Sequence, residues 1–267
     1  MRTIYIEVKR MLLEKRLLWF LLVTVIYVTV CSMFFNLRFK LDYDYEKVHY
    51  EISAFKLWQD NMGKSFMIVL LQIVPSMIYV FSFMDDRKNG IDSQICLRRN
   101  GCGYYFSKFI TVMFGGMLFN FLTVMITYFP CYFLLSTGCA GWNDLDRNNT
   151  VVGTYFHGNT AMEFVFLVAV SYAFVGGVCA GLSFIFSMWM ENRVLVCILP
   201  YIVFHVIKST SFLRDVSKIF FFIIAEEVDV FMADWAFHYG VYRFIGWNLL
   251  LGILFLVSDR IRIKSKK

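Results

Sequence analysis

Charge is nearly absent from the long apolar runs of this chain, and proline occurs only three times in 267 residues. The first four runs carry no carboxylate in their interiors. Transporters driven by protons or sodium usually place one at mid-membrane depth, so that class is disfavoured. There is no GxxxxGK[ST], so ATP is not bound through a P-loop. His49, His157, His205 and His238 stand apart, without an HExxH pair, which argues against an intramembrane metalloprotease. No GxSxG and no intramembrane Ser/His pair appears. Seven cysteines include no CxxC, so no zinc or redox signature is present. These absences leave no catalytic residue and no metal ligand set to nominate.

What is present is apolar. The chain is 59% hydrophobic with a mean hydropathy of +0.61, more than the core of a soluble domain of this length calls for. Charges fall in blocks between long apolar stretches, the pattern of a chain whose solvent is lipid. A net charge of +6 fits either nucleic acid or an anionic membrane surface. The basic residues flank the apolar runs rather than form a stripe with interleaved aromatics, which excludes a nucleic-acid partner and favours membrane lipids. Cys31, Cys131, Cys139, Cys179 and Cys197 read as small apolar residues in or beside helices. A Cys131–Cys139 disulfide at the outer surface is an open alternative for that pair.

Along the chain, residues 2–16 read as an amphipathic helix. Ile4, Val8, Met11 and Leu12 share one face, and Glu7, Arg10 and Glu14 lie among the charged residues that fill the rest. Such a helix lies on the membrane surface or docks on a partner. The run from Leu17 is too long for a signal-peptide core, so it is expected to be retained as the first span. Six spans are expected, at 17–35, 65–84, 109–135, 164–190, 194–207 and 241–257, the fifth short for a full crossing. Residues 36–63 and 85–108 read as polar loops, and 208–240 as short helices dipping into the outer interface. Gly177 and Gly181 have the small-xxx-small spacing that lets helix backbones approach closely. Five basic residues precede the first span, five lie in 85–108, one is Arg193 and five form the tail, sixteen of the 26 in all. The positive-inside rule then puts both termini in the cytoplasm of an all-α, multi-pass plasma-membrane protein.

Gln72, Asn120 and Ser171 are mild polar groups that more often bond across helices than bind substrate. Attention turns to 85–108. Asp85 and Asp86 precede a turn at Gly90. Ile91, Ile95 and Leu97 form an apolar ridge, and Arg98-Arg99 close the segment. A charged, ridged segment suits docking into a groove on a soluble partner. A solvated loop obeying the positive-inside rule explains it equally well.

With Asp85-Asp86-Arg87, Gly90, Arg98-Arg99, Tyr104-Tyr105 and Lys108 in that order, the sequence resembles the membrane subunit of an ABC-2 type (type V) ABC exporter. Asp85-Asp86 stands where that family often has Glu. The resemblance covers the architecture of the whole chain. It implies an N-terminal connecting helix, a cytoplasmic coupling helix between spans two and three, and short outer re-entrant helices between spans five and six. It also implies a permease paired with a second copy or a homologous permease, and a pair of ATPase subunits carrying Mg-ATP. This chain would hold no cofactor. Residues 89–99 and the helix at 2–16 would meet the ATPase, so Asp85, Asp86, Arg87, Gly90, Ile91, Ile95, Arg98 and Arg99 become coupling candidates. The aromatic content suits an amphipathic or hydrophobic cargo, a peptide, drug or lipid, although lipid-facing surfaces use phenylalanine equally. The competing reading is an ATPase-independent sensor or immunity protein that binds a peptide through 36–63 and 208–240.

Overall fold

A computed structural model describes residues 2–13, 15–42, 54–62, 65–91, 94, 101–134, 161–209 and 250–258. Among them there are helices and no strands. They are α1 (Arg2–Leu13), α2 (Lys15–Asp42), α3 (Ala54–Met62), α4 (Ser65–Lys88), α5 (Gly101–Leu134), α6 (Ala161–Trp189) and α7 (Arg193–Ser209). Residues 250–258 are also helical and are called α8.

Four of these helices are long and apolar enough to cross a membrane, over Lys15–Phe34, Val69–Lys88, Gly103–Phe133 and Val168–Trp189. Arg193–Val203 is a shorter apolar helix. A helix satisfies its own backbone polar groups, which a bilayer cannot do for it. The chain is therefore an all-α protein compatible with several passes through a membrane.

α5 is the centre of the bundle, packed against α1, α2, α3, α4 and α6, with its largest contact on α6. That contact is close because glycines face each other. A Cβ on Gly116 would strike the backbone carbonyl of Gly176, and one on Gly176 would strike that of Gly116. Gly177 and Gly181 lie on the same helix, but each meets side chains: Met117 for the first, Met113 and Leu251 for the second. The tightest backbone approach is thus one residue before the pair that the spacing picks out. Asn120, wholly buried beside Gly176, donates from Nδ2 to the carbonyls of Leu71 in α4 and Tyr172 in α6, both at 3.0 Å. One amide ties three helices together.

The structure corrects two loop assignments. The segment read as a polar loop over 36–63 contains the last turns of α2 and the whole of α3. Ala54, Leu57, Trp58, Asn61 and Met62 recur at helical spacing and are all buried. Trp58 Nε1 donates to Thr127 Oγ1 at 3.3 Å, and Asn61 Nδ2 to Ser32 Oγ at 2.8 Å. α3 is a plug between α2 and α5, not a solvated loop. The second correction concerns 85–108, where α4 continues to Lys88 and α5 begins at Gly101. The buried Sγ of Cys131 lies 3.5 Å from Ser32 Oγ, inside this packing. Cys139, residues 210–240 and 241–249 lie outside the described residues.

Trp189 Nε1 at the end of α6 donates to Ser258 Oγ at 3.4 Å. α1 meets the end of α4 through Arg10 and Asp86, and Arg87 at that same end meets the end of α6. The N-terminal helix and residue 258 therefore stand at one end of the bundle.

Candidate functional site

Three helices each bring polar side chains to one point at that end. α1 presents Glu7 and Arg10, three residues apart. α4 presents Tyr79 and Asp86, seven apart, and α5 presents Tyr104 and Lys108, four apart. Each spacing keeps its members on one helix face. Lys108 Nζ lies 2.7 Å from Glu7 Oε2 and 2.8 Å from Asp86 Oδ2. Arg10 grips Asp86 with two nitrogens, each at 3.1 Å. Tyr79 donates its hydroxyl to Glu7 Oε2 at 2.5 Å, and Tyr104 donates to Asp86 Oδ2 at 3.0 Å. The Lys108 ammonium also lies 4.8 Å from the centre of the Tyr79 ring and 5.8 Å from that of Tyr104. Aromatic faces of this kind stabilise a desolvated cation.

Two carboxylates and two cations make the cluster neutral. Lys108 is 0% exposed and Asp86 2% exposed. Burying single charges is costly, and a matched set with its hydrogen bonds filled is how such burial becomes tolerable. Burial pulls the Arg10 guanidinium down, but the hydrogen bond and charge of Asp86 outweigh it and hold Arg10 above its ordinary value. The arrangement clamps α1 onto the end of α4 and the start of α5.

The neighbouring residues extend the clamp. Arg87 donates from Nη1 to the carbonyls of Ser187 and Met188 at 3.1 and 3.0 Å, satisfying the C-terminal end of α6. Asp85 pairs with Arg193 at the start of α7, and with Arg16 at the start of α2 at 3.9 Å. Asn192 Oδ1 accepts from the backbone nitrogen of Val194 at 3.0 Å and caps α7. α4 closes at Gly90, whose φ of 70° is the left-handed conformation that glycine adopts without strain.

The candidates from the sequence divide sharply. Asp85, Asp86 and Arg87 are helical and engaged within the chain rather than set in a loop. Asp86 is buried and closed to any partner. Gly90 makes the turn, and Ile91 beyond it is exposed. Ile95, Arg98, Arg99 and Glu14 lie outside the described residues. Glu7 is buried in the bundle, and Arg10, itself 47% exposed, reaches Asp86 from the bundle's edge. Sequence reasoning left out Tyr79, Tyr104, Lys108, Arg16 and Arg193 as site residues. Lys108 is a buried cation inside a candidate span, against the expectation of a loop lysine at the membrane surface. Its four-residue spacing from Tyr104 was the available signal, but its acidic partners belong to other helices.

Among the described residues no group of three or more His, Cys, Asp or Glu side chains could hold a metal ion. Comparison with protein-family models, curated proteins and solved structures finds no match to this chain.

Proposed function

We propose that the chain is the membrane permease subunit of an ATP-driven ABC exporter, energised by separate ATPase subunits that carry Mg-ATP. In this reading the chain crosses the plasma membrane six times, with α7 as the fifth span and the segment around 250–258 as the sixth. Both termini are cytoplasmic, in a bacterial cell. The cargo is an amphipathic or hydrophobic peptide, drug or lipid, and a second permease copy or a homologue completes the pathway. The chain is not catalytic alone.

The observation that carries the reading is the ionic clamp in which buried Lys108 joins Glu7 and Asp86, with half-exposed Arg10 holding Asp86 from outside. A motor docked on α1 and on the segment after Gly90 would move the ends of α4 and α5 as one body. Asp85, Asp86 and Arg87 then act as the fixed base of the coupling segment, and Ile91, Ile95, Arg98 and Arg99 as its contact face.

The reading expects a gene for an ATP-binding protein beside that of this chain, and the test is co-expression of the two followed by detergent purification. The complex is expected to co-purify, and its ATPase activity to lose stimulation by the permease when Arg98 and Arg99 are reversed to Glu or Ile91 is changed to Asp. Stimulation that survives both changes, or peptide binding by the chain with no ATPase present, would overturn the proposal in favour of a sensor or immunity protein.

A further inference from the structure

The buried apolar side chains fall into two groups that lie end to end along the bundle. One group is at the α1 end and takes in residues of α1, α7 and α8. The other is at the opposite end and takes in α3. Four helices enter both, and on each the change comes within a few residues. It falls between Leu21 and Val28 on α2, Leu71 and Val74 on α4, Phe119 and Val124 on α5, and Tyr172 and Val175 on α6. On α4, Leu70 alone reaches back into the first group. Buried polar side chains fill the interval: Thr24, Gln72, Asn120 and Thr123. Thr24 spends its hydroxyl on the carbonyls of Phe20 and Leu21 in its own helix. Gln72 Oε1, Asn120 Oδ1 and Thr123 Oγ1 have no hydrogen-bond partner among the described residues. A polar layer thus crosses the bundle and separates its two apolar groups.

Pro75 stands at the edge of this layer, inside α4. It has no N–H to give, so the Leu71 carbonyl loses the donor that an α-helix supplies four residues on. Asn120 supplies one from another helix. Its Nδ2 donates to the Leu71 carbonyl and to the Tyr172 carbonyl, each at 3.0 Å. The reverse orientation of the amide would set its oxygen against both carbonyls, so Asn120 is held for its donors. Gly176 makes the room, because a Cβ there would come within 2.7 Å of Asn120 Nδ2. A proline that frees a carbonyl, an asparagine that fills it and a glycine that leaves space meet in one place from three helices. One residue past the proline, Ser76 Oγ donates to the Cys179 carbonyl at 3.4 Å and fastens the rest of α4 to α6.

We propose that the chain is two bodies jointed across this layer, with Pro75 as the hinge of α4 and the Asn120 amide as its clasp. Helices bend where a proline interrupts the bond ladder, and a neighbouring helix can satisfy the carbonyl that is freed. A bond from a side chain tolerates a change of angle that the helix's own ladder does not, because the amide turns about its own torsions. Oxygens without partners hold the two bodies together less firmly than interlocked apolar side chains would. The layer is therefore where one body tilts on the other at least cost. Tyr79 and Tyr104 of the ionic clamp belong to one body, and the buried face of α3 belongs to the other. The joint is a property of the folded chain alone and does not rest on the transport reading.

Thermal unfolding of the detergent-purified chain tests the clasp as a double-mutant cycle. Asn120→Ala is expected to lower the Tm, and the loss to shrink to about half or less when Pro75→Ala is also present. The restored N–H at position 75 then serves the Leu71 carbonyl, and only the bond to Tyr172 is forfeited. A loss of the same size in both backgrounds overturns the clasp. Should Asn120→Ala not fold in the parent chain, it is expected to fold together with Pro75→Ala, and failure in both backgrounds is the overturning result. The hinge is read separately, by electron–electron resonance between spin labels at Phe66→Cys and Lys88→Cys in a cysteine-free background. Both sites are exposed and lie on opposite sides of Pro75. They are about 33 Å apart along α4 at 1.5 Å per residue. The spread of distances between the labels is expected to narrow when Pro75→Ala is added. A spread that this change leaves as wide as before overturns the hinge.

Discussion

The ammonium of Lys108 lies 2.7 Å from the carboxylate of Glu7, and no part of the Lys108 side chain reaches solvent. The pair joins the N-terminal helix to the central helix of the bundle. Asp86, 2.8 Å from the same ammonium, adds the end of α4. Because one buried ammonium serves two buried carboxylates, removing it strands them in an apolar surrounding.

Lys108→Met is therefore predicted to destabilise the chain by about 3–5 kcal/mol, the range for breaking a buried ion pair by deleting one partner. Glu7→Gln in the same background removes the stranded carboxylate and leaves Arg10 with Asp86. The double variant is expected to be less unstable than the sum of the two single changes. Thermal unfolding in detergent, read as a double-mutant cycle, measures this. Strict additivity would mean that the two side chains do not interact in solution.

Gly176→Ala tests the packing of α5 on α6. The added methyl would meet the Gly116 carbonyl and the amide of Asn120, and backbone cannot rotate away. Loss of folded protein, or destabilisation by about 1–3 kcal/mol, is expected from overpacking of this kind. Gly252→Ala is the control, because nothing lies within 4 Å of its new methyl. Equal behaviour of the two variants would refute the close approach.

Much of the bundle could be read in the sequence. α4, α6 and α7 fall within a few residues of the runs that hydropathy marks, because an apolar helix shows itself by length alone. α3 escaped because its nine residues sit beside acidic and tyrosine-rich sequence, and mean polarity hides a period of five buried positions. The ionic clamp escaped for another reason. Each of its helices shows an ordinary pair of polar residues at helical spacing, and only the register between helices reveals that the pairs converge. The same holds for Gly116, whose importance depends on which glycine it faces.

Trp58 makes α3 testable by itself. Its side chain is 1% exposed, stands edge-on to Tyr128 at 6.2 Å between ring centres, and bonds Thr127. Trp58→Ala is predicted to cost about 3–5 kcal/mol, as for other large aromatic truncations in packed sites. Limited proteolysis should then cut within 54–62 faster than in the parent chain. An unchanged cleavage rate would show that α3 is not held in the bundle.

The hydrogen bond from Trp189 to Ser258 fixes the last prediction. α6 ends where α1 is clamped and residue 258 lies at that same end, so the six-span reading predicts an even number of crossings. In a cysteine-free background, Lys9→Cys, Lys88→Cys and Glu191→Cys should all react with an impermeant thiol reagent from one side only. Phe34→Cys and Phe133→Cys, exposed at the opposite ends of the candidate spans in α2 and α5, should react only from the other. The proposed orientation, with the Lys- and Arg-rich α1 end in the cytoplasm, predicts that the first set labels only after intact cells are opened. Labelling of Lys9→Cys and Phe133→Cys from the same side would break the bundle as described. Labelling of the first set from outside intact cells would keep the bundle and invert its orientation, removing the surface on which a cytoplasmic motor could act.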